Sequence, residues 1–180
     1  MLSNFKKLYG EKIELHSFKE SFITDEYVSW LNDPEVVKFS NQRFHKHTIE
    51  SCVDYLSSFN ETDNLYLAIL MKGSGNIVGS INAYINKEDS SADMGLLIGK
   101  KECWGNGLGL DAWKTLMNYL LNECNLTKVT GGTLRPNVGM VKIMEKSGME
   151  IETGKLKQKL LDGKPQDVLF FAVNRKINNH

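Results

Sequence analysis

The chain has 180 residues, and its 22 basic and 22 acidic side chains give a formal net charge of zero. Hydrophobic residues make up 41% and charged residues 24%, which is ordinary globular usage and argues against disorder. The length predicts one domain, residues 1–180, and the even charge and lack of a long apolar run disfavour nucleic-acid and membrane partners.

The first third of the chain predicts a short strand followed by two helices. Ile13 to Leu15 alternate apolar and polar residues, as a strand does. Thr24 is placed to cap a helix that ends before Pro34. Thr48 is placed to cap a second helix, whose apolar residues recur at helical spacing: Ile49, Cys52, Val53, Leu56 and Phe59.

The middle of the chain predicts an antiparallel meander of three strands. They cover residues 65–71, 77–86 and 92–99, with polar turns between them. The second strand alternates, which predicts two different faces. One face would carry Ile77, Gly79, Ile81, Ala83 and Ile85, and the other Val78, Ser80, Asn82, Tyr84 and Asn86.

The rest of the chain predicts alternating helices and strands. A glycine-rich loop precedes a helix over residues 110–124, and residues 126–134 form a strand. Asn137 caps a short helix that runs to Ser147 and is closed by Gly148. Residues 149–157 and 167–174 are the last two strands. The element order therefore predicts an α+β fold with a mixed sheet.

The cysteines and histidines form no metal-binding pattern. Cys52, Cys103 and Cys124 are odd in number and widely spaced, which favours three reduced thiols in a cytoplasmic protein over a disulfide framework or a zinc site. His45 and His47 lie two residues apart but have no acid or cysteine at matching spacing, so they are expected in a loop. No metal is expected.

Three glycines lie between a predicted strand and a predicted helix. Gly105, Gly107 and Gly109 would let a phosphate approach the unpaired N–H groups of a helix N-terminus. A P-loop is excluded because no Gly-Lys-Ser/Thr follows. A dinucleotide fold is disfavoured because the preceding strands are antiparallel. On the glycines alone, a phosphate site and a plain flexible turn remain equally supported.

Two segments carry a resemblance to a known family. Residues 92–109 read ADMGLLIGKKECWGNGLG and resemble the acetyl-CoA-binding motif of the GNAT acetyltransferases, with Trp104 in the place of a usual Gln or Arg. Residues 137–149 read NVGMVKIMEKSGM and resemble the family's helix that starts with Asn and ends Glu-Lys-x-Gly-Phe. The match is closest to the RimJ/RimL-type and spermidine-acetyltransferase-like branch, and it covers almost the whole chain.

The resemblance implies a fold and a cofactor. The fold would be a mixed sheet of six to seven strands with helices on both faces, and two parallel strands, residues 92–99 and 126–134, would splay around the pantetheine arm. Acetyl-CoA would be held by Leu97, Ile98, Trp104, Gly105, Asn106, Gly107, Leu108, Gly109, Leu110 and Asn137. A homodimer is compatible with the resemblance.

The catalytic groups are only partly implied. Attack of an amine on a thioester needs a base, and Asp93 is the candidate because it lies beside the thioester-binding strand, although an exposed strand residue explains it as well. Glu102 is expected to be a solvated acid. The family's usual acid, a Tyr, corresponds to Met144, and the Ser of some relatives corresponds to Met140. The protonation step is therefore left to water.

The acceptor is an amine whose identity stays open. Arg43, Phe44 and His45, with His47, are expected to line its site, together with lysines of the last loop, Lys155, Lys157, Lys159 and Lys164. Such a cationic rim suits an anionic acceptor, whereas Glu20, Asp25, Glu26 and Asp33 leave a polyamine open. Protein N-termini, small amines, nucleotide-linked amino sugars and polyamines are all retained, beside a non-catalytic acyl-CoA-binding module.

Overall fold

The fold is that of a computed structural model, which describes residues 7–154 and 157–175. Its strands build a mixed sheet in the order β1-β2-β3-β4-β5-β6-β9-β7, with β8 attached to β9. The strands are β1 (Leu8–Tyr9), β2 (Ile13–Ser17), β3 (Leu65–Met71), β4 (Ile77–Asn86), β5 (Ser91–Ile98), β6 (Lys128–Leu134), β7 (Glu150–Ile151), β8 (Gln158–Leu161) and β9 (Lys164–Asn174).

The helices within the described ranges are α1 (Asp25–Asn32), α2 (Ile49–Ser57), α3 (Leu108–Asn118) and α4 (Val138–Lys146). The Thr24 hydroxyl accepts the Tyr27 N–H, and Thr48 forms a capping box with Ser51, so both predicted caps are confirmed. After α3 the chain continues through a wider π-type turn, Tyr119–Glu123. No helix in the described part of the chain is both long and apolar enough to cross a bilayer.

The helices cover both faces of the sheet. On one face α1 and α2 bury Tyr27, Trp30 and Cys52 against Ala68 and Leu70 of β3. On the other face α3 and α4 pack on the larger core, which is formed by every second residue of the central strands and includes Leu67, Ile69, Ile81, Met94, Trp113, Leu116 and Met144. The predicted mixed sheet with helices on both faces is therefore confirmed.

Strand β4 departs from the predicted alternation at Val78. Ile69 pairs with Gly79 while Leu70 pairs with Ile77, so Val78 is an extra residue in a β-bulge. Val78 is fully buried in the larger core, and Ile77 packs on the opposite face instead. The predicted assignment of these two residues was wrong because a bulge reverses the alternation on one side of it.

The sheet has nine strands instead of six or seven. Two of the additional strands are short, since β1 and β7 each have two residues. Of the described residues in the predicted strand 149–157, only those of β7 are in a strand. The last predicted strand begins earlier, at Lys164, because Asp162 and Gly163 have positive φ and form a two-residue hairpin turn between β8 and β9.

Candidate active site

The site begins where two parallel strands separate. β5 and β6 pair from Ser91 with Lys128 to Met94 with Gly131, and the pairing stops there although both strands continue. Beyond Met94, β5 still pairs with β4, and β6 still pairs with β9. The facing edges of β5 and β6 are therefore unpaired along a V-shaped opening. Such an edge can bond an extended ligand as a strand would.

The glycine loop follows β5 and leads directly into α3. Gly105 and Gly107 have φ of +77° and +81°, which only glycine adopts without strain. Gly107 caps α3, and its carbonyl accepts the Asp111 N–H as the first bond of the helix. The N–H groups of residues 108–110 thus have no partner within the helix and point towards the loop. This arrangement fits a pyrophosphate.

A lysine from the N-terminal part of the chain contacts this loop. The Lys12 ammonium donates to the Asn106 carbonyl at 3.0 Å and lies 3.5 Å from where a Cβ on Gly107 would be. Lys12 lies in the turn between β1 and β2. The Asp111 carboxylate holds this turn by accepting hydrogen bonds from the N–H groups of Glu11, Lys12 and Ile13 at 3.0, 2.7 and 3.1 Å. The loop therefore has a positive charge beside it that the sequence reasoning missed.

The remaining predicted cofactor residues lie at the edges of the V. The Trp104 indole N–H donates to the Ile98 carbonyl at 2.8 Å, so the ring closes the end of β5. Asn137 caps α4 by accepting the Met140 N–H at 3.3 Å, and its amide nitrogen donates to the Thr133 hydroxyl at 3.0 Å. The cap role of Asn137 is present, and its contact with a cofactor stays a prediction.

A single cavity of about 1400 Å³ joins these features. It is lined by the glycine loop, both edges of the V and residues of α4 on one side. On the other side it reaches α1, α2 and the segment of residues 35–47 that connects them. The cavity thus passes through the sheet at the V, so two ligands can meet there from opposite faces.

Polar side chains form a strip on the α1/α2 face beside the V. Asp93 lies opposite Tyr84 on β4 and Thr130 on β6, and the Thr130 hydroxyl donates to its carboxylate at 2.7 Å. Asn82 lies opposite Gly95, where its side-chain oxygen is 2.5 Å from the position that a Cβ would occupy. Gly95 therefore leaves room for the Asn82 amide next to the last paired residues of the V.

Tyrosines surround the strip on this face. Tyr27 hydrogen bonds to the Tyr66 hydroxyl and, at 3.4 Å, to Ser80, while the Tyr55 and Tyr84 hydroxyls lie 2.8 Å apart. Burial raises the pKa of Tyr27, Tyr55 and Tyr66 well above the usual range. These phenols thus remain neutral hydrogen-bonding groups. The sequence did not indicate a tyrosine cluster. It indicated only that the polar residues of β4, Tyr84 among them, share one face of the strand.

The predicted acceptor residues are only partly brought to the cavity. His45 and His47 line it, but Arg43 and Phe44 lie outside its lining. Arg43 instead places its guanidinium 4.2 Å from the centre of the Phe44 ring and donates to the Leu160 carbonyl at 3.0 Å. Lys157 and Lys159 also line the cavity; Lys164 does not, and Lys155 lies outside the described residues.

The two methionines at the family's acid positions differ in exposure. Met144 is 1% exposed and packs in the larger core, where its methyl group would lie 3.1 Å from a Cβ on Gly131. Met140 is half-buried and lines the cavity. Within the described ranges, no cluster of three or more His, Cys, Asp or Glu side chains could hold a metal ion.

Comparisons with known proteins agree with this geometry. The acetyltransferase (GNAT) domain profile matches residues 13–150. Spermidine N-acetyltransferase from Vibrio cholerae, solved with CoA and spermine, superposes with a TM-score of 0.79 at 15% identity, over 91% of this chain and 96% of that one. No curated protein sequence matches the chain significantly.

Two further solved structures share the fold. Ribosomal-protein-S5-alanine acetyltransferase from Vibrio fischeri has a TM-score of 0.81 at 16% identity, over 95% and 97% of the two chains. RimL, a ribosomal L7/L12 alpha-N-protein acetyltransferase solved with CoA, has a TM-score of 0.81 at 12% identity, over 94% and 98%. With its splayed strands, its glycine loop and the matching family profile, the chain belongs to the GNAT family and is an N-acetyltransferase that uses acetyl-CoA.

Proposed function

We propose that the protein acetylates a primary amine by direct attack of that amine on the thioester in a ternary complex. The observation that carries the proposal is the cavity through the V, which admits one ligand from the glycine-loop side and another from the α1/α2 side. Holding both reactants at one point supplies much of the rate enhancement that such a transfer needs. The acceptor is a protein N-terminus or a small amine.

Asp93 is the proposed base. It lies within the paired part of β5, one residue before the V opens, and it lines the cavity on the acceptor side. Its carboxylate would take the amine proton, directly or through a water molecule, as the N–C bond forms. The Thr130 hydroxyl donates to one carboxylate oxygen at 2.7 Å and so helps to hold the Asp93 side chain in place.

The glycine loop and the V edge would position the cofactor. N–H groups of residues 105–110, together with Lys12, would bind the pyrophosphate, and the unpaired edge near Leu97 and Ile98 would bind the pantetheine arm. A backbone N–H at the start of the V would polarise the thioester carbonyl. Acetyl-CoA supplies the activated acetyl group, and these residues place it.

Departure of the thiolate needs no side-chain acid in this proposal. The C–S bond breaks as the N–C bond is completed, and the thiolate takes its proton from solvent. A thiol pKa of about 8.5 makes the thiolate a good leaving group at neutral pH. This is consistent with methionine at both positions where relatives place a hydroxyl, Met140 and Met144.

The experiment is release of free CoA with a panel of amines: peptides with free N-termini, amino sugars and polyamines. We expect Asp93→Asn to lower kcat while acetyl-CoA affinity is kept, and Glu102→Gln, which removes an exposed carboxylate near the loop, to leave kcat unchanged. Binding of acetyl-CoA without turnover of any amine would favour the alternative, a non-catalytic acyl-CoA-binding module. The homodimer and the cytoplasmic location remain predictions.

A further inference from the structure

The charged residues that line the cavity are mostly positive. Its lysines are Lys38, Lys46, Lys142, Lys146, Lys157 and Lys159. Of the lining residues that the structure describes, Glu35 and Asp93 carry carboxylates, and the Glu35 carboxylate lies 2.9 Å from the Lys101 ammonium. Among the described residues, none of the six lysines lies within ion-pair distance of a carboxylate. The described lining of the cavity therefore carries an excess of positive charge.

Two of the six lysines lie on the cofactor side of the cavity. Lys142 and Lys146 lie on α4, and α4 packs against the start of α3, where Ile143 is 3.1 Å from a Cβ position on Gly109. These two lysines thus lie on the glycine-loop side, where the phosphates of acetyl-CoA bind. Lys157 and Lys159 lie elsewhere, beside and within the hairpin of β8 and β9.

Lys157, Lys159 and Arg43 form a group of like charges, here called the hairpin cluster. The Lys159 ammonium donates to the Asn41 side chain at 2.9 Å, and Arg43 bonds the Leu160 carbonyl. These bonds join the hairpin to the segment between α1 and α2. Burial, together with the nearby charges of Lys157 and Arg43, lowers the pKa of Lys159. A bound anion would relieve this mutual repulsion.

The acids that could have bound a polyamine are not in the cavity. Glu20, Asp25, Glu26 and Asp33 are absent from its lining. The Glu26 carboxylate lies 3.4 Å from the Lys100 ammonium, and the Asp33 carboxylate lies 2.9 Å from that of Lys101. An acceptor with several positive charges would thus meet several lysines, and the carboxylates among the described lining residues are those of Glu35 and Asp93 alone.

We propose that the acceptor is a primary amine that also carries a carboxylate or a phosphate, and that Lys157 and Lys159 bind this anion. The anion would hold the acceptor at the hairpin while its amine reaches the polar strip and Asp93. The inference rests on the proposed N-acetyltransferase reaction and adds the chemical class of its acceptor. An acidic peptide N-terminus and a phosphorylated amino sugar both present this chemistry.

The test uses acceptor pairs that differ only in the anionic group. Glucosamine 6-phosphate is compared with glucosamine, and a peptide with acidic second and third residues is compared with its Asn/Gln counterpart; spermidine is the cationic control. Each is assayed with the wild type, Lys157→Gln, Lys159→Gln and the double variant. Lys114→Gln removes an exposed lysine of α3 outside the cavity and serves as the charge-matched control.

We expect kcat/KM to favour the charged member of at least one pair, and the pair that responds tells which molecule carries the anion. Each lysine substitution should lower this preference about threefold to tenfold, with glucosamine or the neutral peptide and the KM of acetyl-CoA unchanged. Turnover of spermidine or of neutral acceptors alone would overturn the inference and leave the proposed function standing. An unchanged preference in the double variant would also overturn it. Acetyl-CoA binding without turnover of any amine would overturn both.

Discussion

Gly107→Glu separates the role of the glycine loop in folding from its role in binding. At φ of +81° a residue with a Cβ costs about 1–2 kcal/mol of folding free energy. The added Cβ meets the Lys12 ammonium at 3.5 Å, an ordinary contact, so no steric clash adds to this cost. The melting temperature should therefore fall by about 2–8 °C, and the variant should remain folded.

Gly73 provides the matched control. It has a φ of +85° in the turn between β3 and β4, and a Cβ there meets nothing within 4 Å. Gly73→Glu thus introduces similar backbone strain and the same charge at a residue outside the cavity lining. The two variants should lose similar stability, and they should differ in cofactor binding alone.

The expected binding loss follows from the loop geometry. A carboxylate at residue 107 would lie at the helix N-terminus beside Lys12, where the pyrophosphate is expected. It would occupy that space and repel the phosphates, and each tenfold loss of affinity corresponds to about 1.4 kcal/mol. We expect the Kd of acetyl-CoA, measured by calorimetry, to rise on the order of a hundredfold. Gly107→Gln adds equal bulk without charge and should fall between Gly107→Glu and the wild type.

Equal affinity for acetyl-CoA in Gly107→Glu and the wild type would refute the placement of the pyrophosphate at this loop. A parallel loss of affinity in Gly73→Glu would assign the effect to general destabilisation, which also contradicts the reasoning.

Three further predictions concern the chemistry and the support of the site. Asp93→Asn should lower kcat on the order of a hundredfold, and an unchanged pH–rate profile in this variant would point to another proton acceptor. Met144→Leu should leave kcat and stability nearly unchanged. Met144→Tyr should lower the free energy of unfolding by about 1–3 kcal/mol in urea denaturation, because residue 144 is buried and Trp113 and the Met144 side chain already fill the space over Gly131. Asp111→Ala should lower the free energy of unfolding by about 1.5–3 kcal/mol, because three backbone N–H groups lose their acceptor. It should also weaken acetyl-CoA binding as much as Lys12→Gln does, and the double variant should bind no more weakly than Lys12→Gln. Additive losses of affinity in that pair would show that Asp111 does not act through Lys12.

Local patterns predicted much of the fold. The two threonine caps and the three strands of the meander depend on residues close together in sequence, and each is found within one residue of where the pattern placed it. The helix after the glycine loop begins two residues earlier than predicted, at Leu108, so Gly109 lies within α3. The hairpin turn at Asp162 and Gly163 carries an equally local signal, which was overlooked. The short strands β1 and β7 give no such signal, because two residues cannot show a period.

The parts of the site that escaped prediction depend on distant contacts. Lys12 reaches Asn106 across 94 positions of sequence, and its turn is held by Asp111 from a helix far along the chain. Nothing near Lys12 marks it as a neighbour of a phosphate loop. The tyrosines likewise come from α1, α2, β3 and β4, and only the packing of two helices on the sheet brings Tyr27 and Tyr55 to the cavity.

The bulge at Val78 makes the acceptor surface depend on the length of β4 as well as on its composition. Deleting this one residue would restore regular pairing, and one half of the strand would then have to turn over. If the second half turned, Ser80, Asn82 and Tyr84 would enter the large apolar core while Ile81 and Ala83 faced the acceptor. If the first half turned, Ile77 would exchange sides instead. Because of the single extra residue, the start of β4 packs in both cores, Ile77 in one and Val78 in the other. The rest of the strand presents Ser80, Asn82 and Tyr84 to the cavity.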